Sequence, residues 1–197
     1  MDFLKKHKTI VIIAVVAIIA LWGISSYNGL VSMDEEVQTK WADVETQYQR
    51  RADLIPNLVN TVKGYAAHES ETLAAVVEAR AKATSVNIDP TNITAEQMAN
   101  FQKAQDGVSS ALGRLLVTVE KYPELKANEN FRELQAQLEG TENRISVARR
   151  DFNESARKYN TTLRSFPKNI LASMFGFEKK SYFEAHEGSD QAPTVQF

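Results

Sequence analysis

Cysteine is absent from the 197 residues, which excludes a disulfide framework, a thiolate zinc site, a cysteine nucleophile and a lipid-modified N-terminal cysteine. Charge of one sign is not in excess either, because 23 basic and 25 acidic side chains leave a net charge of -2. That balance argues against the basic surface of a nucleic-acid-binding protein. Proline and glycine are scarce, with five and eight residues, so long helices are permitted and an all-α fold is expected.

Sequence motifs for catalysis are also missing. The chain contains no GxSxG, GxGxxG or Walker sequence. Its histidines, His7, His68 and His186, lack the HExxH spacing, and none follows a glutamate three residues earlier as a di-iron bundle requires. The group of His68, Glu69 and Glu71 could bind a metal, but a solvated charged face is the simpler interpretation. We therefore predict a non-enzymatic protein without a metal or cofactor.

The most informative feature present is an apolar run near the N-terminus. Residues 9–30 carry no charged side chain, and about 22 residues form a helix of roughly 33 Å, enough to cross the core of a bilayer. Trp22 and Tyr27 lie near the far end of the run, where amphipathic rings favour the membrane interface. A signal peptide cleaved near residues 23–25 is the alternative. An uncleaved anchor is expected, because the run continues directly into a helical pattern.

The charges on either side of this run predict its orientation. Lys5, Lys6 and Lys8 precede it, and acidic residues at 34–36 follow it. Basic flanks stay in the cytoplasm. Residues 1–8 are therefore expected to form a cytoplasmic stub and residues 9–30 a single-pass anchor. The helical domain, residues 31–183, and a flexible tail, residues 184–197, are expected on the outer side of the membrane.

The first helical stretch of the domain follows the anchor directly. Apolar residues recur at spacings of three and four from Leu30 to Ala83, which predicts one long helix continuous with the anchor. Pro56 should bend it, because proline lacks an amide donor. A break near Gly64 and Tyr65 is the alternative, and it would give four shorter helices.

The second and third stretches carry a 3.5-residue apolar repeat, which is typical of coiled-coil packing. Thr94, with Gln97 three residues on, has the form of a capping box that opens the second helix, and Pro123 marks its end. The third helix is expected to begin at residue 128 or 130, with a second box at residues 130–133, and to end before Pro167. Short connections then predict an elongated antiparallel bundle whose three long helices run up, down and up.

Polar residues interrupt the apolar stripe of the third helix at Thr141, Ser155 and Thr162. Small residues that allow close approach of helices are the simpler interpretation. A polar layer shared with Gln105, which would set the register of the helices, is the alternative.

Two groups of residues are candidates for contact with other molecules. The C-terminal segment should form a short helix capped by Gly176 and then an aromatic flap that either seals the bundle or binds a partner. The paired arginines are the second group, although interleaved acidic residues favour salt bridges across helix faces. The interaction candidates are Arg50, Arg51, Pro56, Arg149, Arg150, Phe175, Phe177 and Phe183.

Several blocks of the sequence resemble the LemA family of bacterial proteins. The most specific is YQRRADLIPNLV at residues 48–59, preceded by WADVE at 41–45; the others include YNGLV at 27–31, TENRI at 141–145 and FGF at 175–177. The resemblance implies an N-terminal membrane helix, a helical-bundle domain and no catalytic residues. It also implies roles in shaping internal membranes for some relatives and links to membrane quality-control proteases for others. Descriptions of the family place the short N-terminus outside the cell, whereas the lysine-rich start here favours the cytoplasm.

Two functions fit these features. The first is a membrane-anchored scaffold that self-assembles into a homo-oligomer in the bacterial inner membrane and shapes or organises that membrane. Its basis is that Val59, Leu116 and Val117 lie beside the core stripes and need a partner. The second is an envelope adaptor that presents the aromatic flap, or the segment around Pro56, to another protein such as a membrane quality-control protease.

Overall fold

The computed structural model describes residues 2–184, with side chains from residue 7 onward. Within that range the chain is helical and contains no strand, which confirms the expected all-α class. Apart from Glu184, the expected flexible tail lies outside the described residues. The helices in chain order are α1 (Asp2–Lys63), α2 (Ser70–Thr84), α3 (Ala95–Val119), α4 (Pro123–Ala127), α5 (Glu129–Arg164) and α6 (Lys168–Phe175).

α1 joins the apolar N-terminal run to the domain in one uninterrupted helix of 62 residues. The apolar side chains from Ile10 to Ile24 are exposed. Among the helices of residues 2–184, α1 is the one long and apolar enough to cross a membrane. From Leu30 onward, residues at spacings of three and four turn inward and are buried. Pro56 lies inside α1 with its ring exposed, and the helix continues beyond it.

The long first helix does not extend to Ala83 as expected. α1 ends at Lys63, and the chain turns at Gly64 before α2 begins at Ser70. Glycine is a poor helix former, and the turn lets α2 fold back so that the Nε of Arg80 donates to the carbonyl of Ala52 at 2.7 Å. The alternative prediction of a break near Gly64 is therefore the correct one.

α5 lies along α1 with its sequence order reversed. The Nζ of Lys158 is 3.5 Å from the Oε2 of Glu36, near the anchor. Further from the anchor, the Oε2 of Glu142 is 3.0 Å from the Nη1 of Arg51. Residue numbers therefore fall along α5 as they rise along α1.

α3 follows α1 in the same sense. The ring of Phe101 packs edge-to-face on Trp41, and the carbonyl of Gln105 accepts a hydrogen bond from Arg51. The expected order of up, down and up is therefore wrong. The turn at Gly64 adds one reversal, so α1, α2, α3 and α5 run up, down, up and down.

Two apolar clusters form the core, one near the anchor and one at the far end. The cluster near the anchor includes Leu30, Val37, Trp41, Val44, Phe101, Phe152, Tyr159 and Phe183. The far cluster includes Ile55, Leu58, Val62, Val76, Leu115, Leu125 and Phe131. At the boundary between them lies a set of polar residues, here termed the arginine layer, which consists of Arg51, Gln105, Thr141 and Glu142.

The ends of the helices follow local capping chemistry. The Oγ1 of Thr94 accepts from the Gln97 amide and the Gln97 side chain accepts from the Thr94 amide, which confirms the predicted capping box. α5 is capped instead by Asn128, whose Oδ1 accepts from the amide of Phe131 at 3.0 Å, so the box expected at residues 130–133 is wrong. Gly176 ends α6 at a φ of 73°, a left-handed conformation that glycine adopts without strain.

Candidate functional site

The arginine layer is centred on a guanidinium in the interior. Arg51 is only 3% exposed. Its Nη1 donates to the Oγ of Ser109 at 2.9 Å and to Glu142, and its Nη2 donates to the Oε1 of Gln105 at 2.8 Å and to the carbonyl of Gln105. The same group lies 5.1 Å from the centre of the Tyr48 ring. Its hydrogen bonds are therefore made within the domain.

Arg51 connects Gln105 of α3 to Glu142 of α5. The polar layer that was the alternative interpretation is present only in part, because Gln105 is buried and bonds to Arg51 rather than to Thr141. Thr141 instead donates to the carbonyl of Gln137, one turn earlier in α5, at 2.7 Å. Burial raises the pKa of the neighbouring Tyr48 hydroxyl, although the positive charges of Arg149 and Arg51 act in the opposite direction.

Residues 177–184, here termed the C-terminal strap, run back from α6 along the helices. Three carboxamide side chains hold its backbone, each accepting from an amide and donating to the carbonyl of the same residue. The accepted and donated bonds are 3.0 and 2.7 Å long between Asn160 and Lys180, and 2.9 and 3.0 Å long between Asn153 and Phe183. Between Gln102 and Glu184 they are 3.3 and 3.0 Å long.

The strap fills part of the core near the anchor. Phe183, which is 5% exposed, stacks on Trp41 at a ring-centre distance of 5.8 Å, and the guanidinium of Arg149 lies 4.6 Å from the Phe183 ring centre. Lys180 is also buried; its Nζ lies 2.9 Å from the Oδ1 of Asp34 and donates to the carbonyl of Thr91. The strap therefore seals the domain, and Phe183 is not exposed as a flap residue.

α6 leaves a different part of the aromatic segment uncovered. Phe175 is exposed, and its ring packs edge-to-face on Tyr27 of α1 at 4.9 Å. Phe177 is half-buried and also meets Tyr27, at 5.7 Å. Tyr27 and Trp22, the predicted interface anchors, are each 38% exposed. The structure therefore places the end of α6 beside the end of the apolar run.

The other candidate residues lie on the surface. Arg50 is exposed and lines a groove of about 800 Å³ between α1, α2 and α3, together with Asp53 and Arg80. Arg150 is exposed and pairs with its neighbour Asp151 at 3.1 Å. Of the four arginines among the interaction candidates, Arg51 alone is buried, because position 51 faces the core and position 50 faces solvent on the same helix.

The carboxamides that bind the strap are not among the residues that the sequence predicts for the site. Asn153 and Asn160 are seven residues apart, which places them on one face of α5 beside the apolar stripe. This spacing is the feature of the sequence that could have identified the two asparagines as neighbours on one helix face. No group of three His, Asp or Glu side chains able to hold a metal occurs among the described residues, and Glu69 instead accepts a hydrogen bond from Tyr122 at 3.0 Å.

Comparison with known proteins identifies the family. The LemA family sequence model matches residues 40–197. The chain belongs to the LemA family. It is 29% identical to the magnetosome protein MamQ 2 of Paramagnetospirillum magneticum over 91% of this chain and 72% of that protein.

Two further relatives extend the comparison to other bacteria. The chain is 29% identical to the magnetosome protein MamQ of Magnetospirillum gryphiswaldense over 83% of this chain and 66% of that protein. It is 23% identical to the protein LemA of Metamycoplasma hominis over 81% and 69%. Family membership and the exposed apolar run of α1 together support a membrane location for this LemA-family protein.

Proposed function

We propose that this LemA-family protein is a non-enzymatic helical scaffold, anchored in the bacterial inner membrane, that self-assembles and thereby shapes or organises that membrane. The observation that carries the proposal is the continuity of α1, which makes the anchor and the core of the domain one helix. Because α1 is continuous, a contact between the domains of two molecules would act directly on their anchors in the bilayer. Residues 1–8 are proposed to lie in the cytoplasm and the domain outside it.

The dimensions of the helices support a rod-like domain. At 1.5 Å per residue, α3 spans about 37 Å and α5 about 54 Å. The reversed order of α5 along α1 supports an elongated antiparallel bundle that stands on the anchor.

Apolar side chains left exposed on the domain support self-assembly. Val59 and Leu116, which were expected to need a partner, pack against the far apolar cluster. Val117 remains 71% exposed, and Val77 and Val147 remain about half exposed. These side chains lie on α2, α3 and α5, so a surface for lateral packing is available on several helices.

The mass of the full-length protein extracted in detergent tests this proposal. We expect a homo-oligomer with a mass several times the 22.1 kDa of one chain, measured by light scattering across a dilution series. Dilution controls for loose detergent-induced association. A monomer at micromolar concentration would contradict self-assembly.

The groove that contains Arg50 supports a second candidate function, that of an envelope adaptor for a partner such as a quality-control protease. It is solvent-open and charged, with Arg50, Asp53 and Arg80 at its walls. A photo-crosslinking residue at position 50 in the native membrane should then give a discrete adduct. The same residue at exposed position 150 is the matched control, and identical adduct patterns at the two positions would argue against a partner in the groove.

A further inference from the structure

The fold brings the lower end of the domain back to the anchor. α5 runs toward the anchor, with Lys158 at the level of Glu36, and α6 continues to the level of Tyr27. Tyr27 lies only three residues beyond Ile24, the last exposed apolar residue of the run, a rise of about 4.5 Å. The C-terminal strap then leads away from the anchor to Trp41. α6 is therefore the lowest part of the domain that returns to the anchor.

The outer face of α6 carries large exposed apolar side chains. Phe166, just before the helix, is 81% exposed, Ile170 is 52% exposed and Met174 is 71% exposed. Their spacing of four residues places Ile170 and Met174 on one side of the helix. Ala172 faces the domain and is buried. α6 therefore shows domain contact on one side and an apolar surface on the other.

Charged residues flank this surface. Arg164 and Lys168 lie before and at the start of α6, and Lys179 follows it, with Glu178 as the acidic neighbour. Basic side chains beside an apolar helix face are typical of helices that lie in the plane of a membrane interface, where their long stems reach the headgroups.

From this geometry we propose that α6 docks into the bilayer leaflet on the domain side and gives the protein a second point of membrane contact. The occupant is lipid because the surface is continuous with the anchor: Phe175 packs on Tyr27, whose remaining surface is exposed at the end of the apolar run. The proposal goes beyond scaffold assembly, and it depends only on α1 crossing the membrane.

Site-specific fluorescence in vesicles tests this contact. Since the chain contains no cysteine, Met174→Cys provides a single attachment site for a bimane dye on the full-length protein. Ala127→Cys is the control, because position 127 is exposed, lies beside Leu125 at the far end of the domain and is not one of the valines proposed for self-assembly. Ile18→Cys, in the apolar run, reports insertion of the anchor. The vesicles consist of phosphatidylcholine with and without two spin-labelled lipids, one that quenches near the headgroups, for position 174, and one that quenches within the acyl chains, for position 18.

The expected result is a blue shift at positions 18 and 174, with a loss of emission when spin-labelled lipid is present, and neither change at position 127. Quenching at 18 without quenching at 174, and with Ile170→Cys also unquenched, would overturn the docking of α6 while leaving the anchor intact. Protection of 174 from both lipid quencher and aqueous iodide would also overturn it, and would assign the surface to a second copy of the chain. Absence of both the blue shift and the quenching at position 18 would overturn the anchor and the docking of α6 together. Oligomer mass is measured separately, so loss of the α6 contact alone leaves the scaffold proposal intact, whereas loss of the anchor would also overturn the membrane attachment of the scaffold.

Discussion

Arg51 shows how the environment of one side chain differs from that of its neighbour in the sequence. Both Arg50 and Arg51 belong to the block that resembles the LemA family, but Arg51 is enclosed by three helices and Arg50 faces the solvent groove. A buried guanidinium that makes several hydrogen bonds specifies register, because any slip between helices would leave it unpaired. The arginine layer therefore fixes how α1, α3 and α5 align.

We expect Arg51→Ala to lower the free energy of unfolding by about 1–3 kcal/mol, because the buried carbonyl and side chain of Gln105 lose their donor. Half of Glu142 is exposed to water, so its carboxylate can be rehydrated and limits the loss. Arg50→Ala should cost less than about 0.5 kcal/mol as an exposed substitution. Urea unfolding of the full-length protein in detergent measures both, and equal effects would contradict the role of the arginine layer.

Tyr159 gives the fold a defined response to alkaline pH. Burial, reinforced by the negative charge of Asp34, raises the pKa of its hydroxyl well above the ordinary value of 10.0. The unfolded chain therefore loses this proton more readily than the folded chain. The resulting contribution to stability is complete below pH 10 and is lost as the pH rises above it.

Tyrosinate absorbance and helical circular dichroism, recorded together from pH 9 to 13, measure this response. We expect part of the absorbance change to occur only as helix is lost, and Tyr159→Phe to reduce that part. Complete ionisation while the helical signal is unchanged would contradict the prediction.

At the scale of elements, the C-terminal strap is part of the core. Phe183→Ala should lower the free energy of unfolding by about 3–5 kcal/mol, as expected for a large buried aromatic side chain. Phe175→Ala is the matched control: this ring is 57% exposed and loses an edge contact with Tyr27, worth about 1 kcal/mol. Thermal and urea unfolding in detergent compare the two. Similar losses would mean that the strap does not complete the core.

The helices were predictable from the sequence where the signal is local. Thr94 and Gln97 predicted the start of α3 because a capping box involves only four adjacent residues, and Gly176 predicted the end of α6 for the same reason. The apolar spacing does not fix the turn at Gly64, because the spacing continues on both sides of this residue whether the helix continues or reverses. The strap was not predictable in detail, because Gln102 and Glu184 are 82 residues apart.

The features of the candidate site also differ in whether they depend on local sequence or on contacts between distant helices. The candidate membrane helix and the place of Tyr27 near its end follow from the local sequence, because an apolar run of bilayer length is a property of contiguous residues. The burial of Arg51 and Phe183 depends on α3 and α5, whose positions along α1 are set by the reversal at Gly64. The local sequence therefore does not distinguish buried Arg51 from exposed Arg50, or buried Phe183 from exposed Phe175.

At the scale of the whole molecule, the proposed orientation predicts which sites a membrane-impermeant reagent can reach. We expect Ala127→Cys, at an exposed position of the domain, to react with an impermeant maleimide in intact spheroplasts. Lys8→Cys should react only after the membrane is permeabilised, because the lysines before the run stay in the cytoplasm. Mass shifts on gels measure both reactions. The reverse pattern of labelling would place the domain in the cytoplasm.

The absence of a break in α1 between the anchor and the domain has a mechanical consequence. Membrane helices tilt by about 20° on average and adjust that angle to the thickness of the surrounding lipid. The part of α1 that follows the apolar run, residues 30–63, is a lever of about 50 Å, so a change of about 10° at the membrane moves its tip sideways by about 9 Å. Differences in bilayer thickness would therefore be converted into the spacing and lean of the outer ends of neighbouring molecules.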